Sequence, residues 1–362
     1  MKKYISLLLA LFLCLSLCAC GGVAEDTTPT EPEMTDTEDD GILKILLIGH
    51  SWGMDAAFLF PDVARNEGTE NLVFGLLYHS ACRMVQHVDY AAENARQYAY
   101  YEYDISKGQE WLRADCNGNF SPCEAGAAND AYIEDGSIAQ TLQFGIQRHD
   151  WDLVFLEGGG KESANRKDEW YIANSKQLDL PGYTQQLINY VDENDIEKST
   201  PISYCWILDW CYPADPAVRT EYVIKDMEDF GGDDYLYYKA KADFCRDTIA
   251  PSFDFAHVLP SGTAIENLKT TKLASAQIYR DYSHVTDFGR LVAAYTWYCV
   301  LTDTAIEDCR IPSMNHKVLL DPLARNTGVD LVLTEEQKSI LVEAVHNAIQ
   351  NPYDVTPSQH NK

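Results

Sequence analysis

Five apolar runs of strand length, separated by stretches with helical spacing, constrain this 362-residue chain more than any other feature. They cover 43–48, 72–78, 153–156, 202–208 and 253–259. A run apolar at successive positions must be buried on both faces, and its alternation with helices points to a parallel sheet covered on each side. Helices are expected over 54–67, 137–148, 182–194, 235–248, 287–302 and 335–350. The last opens on Thr334 with Gln337 three residues on, a capping-box pattern. Its Ile340, Leu341, Ala344, Val345 and Ile349 recur at helical spacing and belong to the core. The fold class is α/β, with a central five-stranded parallel sheet.

A long insertion, 88–135, separates the second and third runs and carries Tyr90, Tyr98, Tyr100, Tyr101, Tyr103, Cys116 and Cys123. Insertions after strand ends sit beside the ligand site of such sheets. The tyrosines either stack on sugar rings or pack as amphipathic cover. No internal repeat and no phosphate-cradling glycine loop is visible.

The two ends read differently. Residues 1–19 have the pattern of an export signal: Lys2 and Lys3, then an apolar run from Ile5 to Leu17 that is short for a bilayer span. Leu17-Cys18-Ala19-Cys20 resembles a bacterial lipobox, which implies lipidation of Cys20 and tethering to the outer face of the cytoplasmic membrane; Gly21 and Gly22 suit that reading. The alternative is an ordinary signal peptide that contains cysteines. Residues 20–41 hold eight acids and no Lys or Arg, with interleaved Thr and Pro, and are expected to be a disordered, self-repelling tether. The folded domain is placed at 42–352, with 353–362 as a C-terminal tail.

A formal charge of −28 argues against nucleic acid and favours neutral or weakly charged substrates. Eight cysteines follow Cys20, and an exported chain permits disulfides. Cys116 with Cys123 and Cys205 with Cys211 are near enough in sequence to close small loops, but pairing does not follow from spacing. The chain has no C-x-x-C pair, which weighs against zinc.

Chemistry concentrates at two distant places. Ser51 ends the first apolar run in Gly49-His50-Ser51-Trp52-Gly53, and Asp281-Tyr282-Ser283-His284 comes after the last run. A serine hydroxyl becomes a nucleophile when an imidazole takes its proton, and a carboxylate fixes the tautomer of that imidazole. D-x-x-H supplies base and orienter from one loop. Ligands of open parallel sheets bind outside the carboxyl ends of the strands, where both segments would lie. G-x-S-x-G also matches the nucleophile elbow of α/β-hydrolases, but that fold needs strands upstream of the serine, and here only the tether precedes it.

These pieces, in this order, resemble the SGNH (GDSL-like) hydrolase family, in particular a bacterial SGNH-like lipoprotein branch, over about residues 43–302. The resemblance also rests on Trp151-Asp152-Leu153-Val154-Phe155-Leu156-Glu157, on Pro260-Ser261-Gly262-Thr263-Ala264-Ile265-Glu266-Asn267 and on Asp287-Phe288-Gly289-Arg290. It implies a flavodoxin-like three-layer α/β/α sandwich and ester hydrolysis through an acyl-enzyme, with Ser51 as nucleophile, His284 as base and acid, and Asp281 holding His284. It implies no metal and no organic cofactor.

The oxyanion positions depart from the family pattern. Where the family has a glycine after the second strand, this chain has Ser80, Ala81 and Cys82, any of whose N–H groups could serve. Glu157-Gly158-Gly159-Gly160 replaces the family's G-x-N. An ionised Glu157 has no proton to donate, whereas N–H groups of Gly158 and Gly159 could form a nest. Arg83, His79 and His87 near the second-strand loop either contact substrate or form ordinary salt bridges. Trp206, Asp209 and Trp210 lie at the cleft end of the fourth run, and Glu266 and Asn267 either line the site or cap a helix. The functional expectation is a surface-anchored serine esterase acting on small acyl esters, acetyl above all, on carbohydrate. The competing expectation is a weak or inactive glycan-binding lipoprotein on the same sandwich.

Overall fold

Burial on both faces is what the apolar runs achieve: Ile45, Leu46, Leu47 and Ile48 are at most 1% exposed. The computed structural model describes residues 41–109, 111–123, 136–195, 200–311 and 331–361. The leader, Cys20, the tether up to residue 40 and residues 124–135 of the insertion lie outside the described residues. In chain order the strands are β1 (Leu43–Gly49), β2 (Leu72–Tyr78), β3 (Tyr98–Asp104), β4 (Leu112–Ala114), β5 (Phe120–Pro122), β6 (Ala139–Gln140), β7 (Leu153–Glu157), β8 (Ser203–Ile207) and β9 (His257–Leu259). The main helices are α1 (Ser51–Ala57), α2 (Phe60–Glu67), α3 (Met84–Glu93), α4 (Leu142–Ile146), α5 (Glu169–Ala173), α6 (Leu180–Asn194), α7 (Glu221–Met227), α8 (Asp234–Phe244), α9 (Ser261–Lys269), α10 (Asp287–Thr302) and α11 (Glu335–Gln350).

Among the described residues the sheet has nine strands of mixed orientation, not five parallel ones. All five expected strands are present and pair in parallel in the order β2-β1-β7-β8-β9. Beyond β2 the sheet continues antiparallel through β3, β4 and β5, with β6 also pairing with β3. The residues read as an insertion therefore extend the sheet. The cause is local: Tyr98-Ala99-Tyr100-Tyr101-Glu102-Tyr103 has high strand propensity and bulky side chains on both faces. Tyr98, Tyr100, Tyr101 and Tyr103 are 0–2% exposed, packed against rings such as Phe120, Phe144, Phe58 and Trp111, so they form no sugar platform. Glu102 on this strand is buried but accepts from Tyr100 Oη at 2.9 Å and pairs with His149 at 3.0 Å.

Helices α2, α9, α10 and α11 pack side by side as one group beside the sheet, and α3, α4 and α6 as another. Phe60 of α2, Phe74 of β2, Phe155 of β7 and Trp297 of α10 interlock ring on ring, with centroids 5.4–6.2 Å apart. The helix expected over 54–67 is broken, because Pro61 has no N–H for residue 57 and α2 restarts with this proline in its first turn. Helices α10 and α11 have the expected bounds, and Thr334 Oγ1 accepts from Gln337 N at 3.1 Å while Gln337 Oε1 accepts from Thr334 N at 3.0 Å. The final residues lie along α9 and α11: Thr356 N donates to Asn267 Oδ1, Ser358 N to Thr270 Oγ1 and Gln359 N to Glu343 Oε1.

Candidate active site

Segments leaving the carboxyl ends of the parallel strands enclose a cavity of about 440 Å³. After β1 come His50, Ser51 and Trp52; β2 ends on Tyr78 and is followed by Ser80, Ala81 and Arg83; after β7 come Gly159, Gly160 and Asp168. Tyr212, Tyr222, Tyr282, Ser283 and His284 complete the wall. Ser51 and His284, 233 positions apart, thus face one space.

Ser51 is the first residue of α1. His50 is extended at φ −121° and caps the helix, its Nδ1 accepting from Trp52 N, while its Nε2 donates to Gly158 O at 3.3 Å. Burial, the largest influence, lowers the His50 pKa to about 3, so the ring is neutral and structural. Beneath this turn Glu157 accepts from His50 N and from Gly53 N, the latter at 2.9 Å. A Cβ on Gly53 would stand 2.7 Å from Glu157 Oε2, and one on Gly49 would also collide with that carboxyl group. Both glycines of the G-x-S-x-G pattern are thereby explained: they admit Glu157, which clamps the serine turn. Glu157 is fully buried and absent from the cavity wall, which corrects its placement among the oxyanion or substrate-binding residues. Burial and then the nearby Asp209 carboxylate push its pKa well above the usual range.

The D-x-x-H segment is a tight turn. Arg280 N donates to His284 O, and Tyr279 bridges Val285 antiparallel to it. His284 Nδ1 donates to Asp281 Oδ2 at 2.9 Å, and Asp281 Oδ1 accepts from the N–H groups of Ser283 and His284 at 2.8 Å each. Burial opposes ionisation of Asp281, but the His284 side chain and those N–H groups outweigh it and hold its pKa well below the carboxylate range. His284 Nε2 is buried and has no hydrogen-bond partner among the described residues, Ser51 Oγ included.

Asp55, one helical turn beyond Ser51 and fully buried, joins the two segments. Its carboxylate pairs with Arg280 at 2.9 and 3.1 Å and with Arg290 Nε at 3.0 Å, and it accepts from Val285 N at 3.2 Å. Arg280 and Val285 flank the D-x-x-H box on either side. Burial would raise the Asp55 pKa, but the two guanidinium groups lower it. From sequence, the one sign of this role was an aspartate four positions after the serine, on the same helical face. From the other side, Trp210 Nε1 donates to Ser283 O at 3.0 Å.

The oxyanion candidates divide. Among the described residues, the N–H groups of Ser51, Ser80 and Ala81 make no hydrogen bond, and all three residues line the cavity. Ala81 has φ +49°, the left-handed conformation that glycine adopts freely, so it occupies the glycine-like corner of this loop. Cys82 is buried and its N–H donates to His79 O at 3.4 Å, which removes it from the candidates. The triglycine nest does not form as expected. Gly159 N donates to Glu162 Oε1 at 2.8 Å, and Gly158 is not in the cavity wall. Buried Glu162 also accepts from Met84 N at 2.7 Å and from Tyr171 Oη, tying the loops after β2 and β7 together. Burial pushes the Glu162 pKa up to about 7.

The remaining candidates are structural. Arg83 lies in the wall, but its donors go to Asp168, Gln86 and Ala81 O, and it sits 5.2 Å from the Trp170 ring centroid. His79 Nδ1 donates to Gln97 O, and buried His87 meets Tyr98 Oη. Trp206 packs on Phe255, while Asp209 pairs with buried Lys241 at 2.7 Å, whose Nζ stands 4.3 Å over the Trp52 ring. Glu266 accepts from Cys211 N and pairs with Lys269; Asn267 holds α11 through Ala344 O. Neither reaches the cavity.

No family model matches this chain, and no curated protein does. Among solved structures it is similar to a DUF4886 family protein from Bacteroides uniformis ATCC 8492. The identity is 20%, the TM-score is 0.63, and the match covers 89% of this chain and 100% of that one. The two share a fold. A lipase, Lip_vut3 from a goat rumen metagenome, aligns at 10% identity with a TM-score of 0.33 over 71% of this chain and 96% of its own, too remote to bear on fold or activity.

Proposed function

We propose that this chain is a serine esterase of the SGNH type that removes small acyl groups, acetyl above all, from carbohydrate. One observation carries the reading: His284, held by Asp281, has a buried Nε2 without a partner among the described residues and lines the same cavity as Ser51. Ser51 Oγ attacks the ester carbonyl and its proton passes to His284 Nε2, while Asp281 stabilises the imidazolium. The N–H groups of Ser51 and of Ser80 or Ala81 receive the oxyanion. His284 then protonates the leaving alcohol, and water enters by the reverse sequence to release the acid. The strand order β2-β1-β7-β8-β9 is that of a flavodoxin-like sandwich, which supports an SGNH fold carrying an antiparallel extension.

A cavity of this size, walled by tyrosines and Trp52, suits a short acyl group on a neutral ring, and the charge of −28 disfavours polyanionic substrates. The chain would work from the cell surface, anchored through lipidated Cys20. Labelling with a fluorophosphonate, with Ser51→Ala as control, together with acetate release from acetylated glycans and nitrophenyl esters, tests the proposal. Labelling confined to the native protein and release of acetate are expected; failure of both would remove it. The engagement of the Gly159 N–H favours the competing glycan binder, since a missing oxyanion donor costs about 3–4 kcal/mol of transition-state stabilisation. Glycan binding without labelling would establish that reading instead.

A further inference from the structure

The eight cysteines of the described chain are all free thiols, including the sequence-adjacent Cys116, Cys123, Cys205 and Cys211. Among the described residues one pair of sulfurs meets: Cys299 Sγ and Cys309 Sγ, 3.8 Å apart. Cys299 is buried in the last turns of α10, and Cys309 follows the short helical turn Ile306–Asp308 and is partly exposed. Asp303, at φ +53°, ends α10 in the left-handed conformation and turns the chain back.

The approach of the two thiols is fixed from outside the pair. Glu67, at the end of α2, accepts from Tyr295 Oη at 3.0 Å and from Arg310 N at 2.9 and 3.0 Å. Tyr295 lies one turn before Cys299 on α10, and Arg310 directly follows Cys309. One carboxylate thus holds a neighbour of each cysteine. A disulfide needs a sulfur separation of about 2.05 Å, so the gap has to close by less than about 2 Å.

We propose that Cys299 and Cys309 form a disulfide by exchange with an external disulfide once the chain has left a reducing compartment. The accessible Cys309 loses its proton and attacks one sulfur of the external disulfide. That S–S bond breaks, a mixed disulfide forms, and the first external thiolate leaves. Cys299 then loses its proton and attacks the Cys309 sulfur, expelling the second external thiolate. The two cysteines are oxidised by two electrons, the external disulfide is reduced to two thiols, and the two protons balance. The hydrogen bond with Cys309 and then burial push the Cys299 thiol up, which fits it as the second reactant.

The bond would close a loop of about eleven residues and fix the end of α10, the helix whose first turns carry Arg290 against Asp55. It does not depend on the chemistry proposed at Ser51. The test is incubation of the full chain with oxidised glutathione, alkylation, digestion without reductant and mass spectrometry. A peptide linked through Cys299 and Cys309 is expected, with a rise of roughly 5 °C in the melting temperature that Cys309→Ser abolishes. The proposal is overturned if both thiols are alkylated after oxidation or if either pairs with another cysteine. Cys309 retained as a glutathione adduct, or a melting temperature that rises equally in Cys309→Ser, also overturns it.

Discussion

The two rims of the cavity are built on different physics. On one rim, the serine helix and the D-x-x-H turn are locked by permanent charge, Asp55 between Arg280 and Arg290. On the other, the loops after β2 and β7 are joined by Glu162, whose partners Met84 N, Gly159 N and Tyr171 Oη are all neutral. Each rim rests on a buried carboxylate that spans segments far apart in sequence. The difference lies in how easily each carboxylate gains a proton: Asp55 resists, and Glu162 does so near neutrality. The Ser51 and His284 segments should therefore be insensitive to pH-driven loosening, whereas the rim that carries Ser80 and Ala81 should not.

The largest expected effect breaks the charged rim. Asp55→Ala removes the buried carboxylate that Arg280 and Arg290 share, Arg290 keeping Asp287 at 3.3 Å, and should cost about 3–5 kcal/mol in denaturant unfolding. A loss below about 1 kcal/mol would show that the ion pairs do not hold this rim. Next comes the neutral rim. Glu162→Ala strands the Met84 and Gly159 N–H groups, at about 1–3 kcal/mol for each unsatisfied donor. It should weaken fluorophosphonate labelling more than Asp281–His284 geometry would suggest.

The sharpest separation of the rims is a pH series. The folded pKa of Glu162 lies above its unfolded value, so the folded state holds the extra proton. Its contribution is full below about pH 4.5 and is lost as pH rises through about 7. Glu162→Gln keeps an acceptor for both N–H groups and should gain in melting temperature over the native protein as pH goes from 5 to 8. Equal pH profiles for the two proteins would contradict this account. The smallest effect is at the loop corner: Ala81→Gly relieves a left-handed alanine but adds chain entropy, so a change within about 1 kcal/mol is expected, on the stabilising side.

The contrast between the rims also explains what could be read from the chain. The five parallel strands, α10 and α11 were legible because burial on two faces or one face imprints a period on adjacent residues. The pairing of Asp281 with His284 was legible because both residues share one turn. Asp55 and Glu162 were not. A buried carboxylate is identified by partners, and Arg280 and Arg290 lie 225 and 235 positions from Asp55. Glu157 was noticed but misplaced, since nothing local says that its oxygens turn toward Gly53 N and away from the cavity. The antiparallel strands β3 to β6 were hidden for another reason: tyrosines serve equally as strand formers and as surface cover, and β4, β5 and β6 are too short to show a period.

The central claim is that the hydroxyl of Ser51 is activated by His284. The most direct measurement is the rate of fluorophosphonate labelling, with the modified residue identified by peptide mass, in native protein, Ser51→Ala and His284→Ala. The account predicts modification at Ser51 in the native chain, none in Ser51→Ala, and a rate reduced by at least about a thousandfold in His284→Ala. Labelling of Ser51 at an undiminished rate without His284, or no labelling of the native chain, would contradict it.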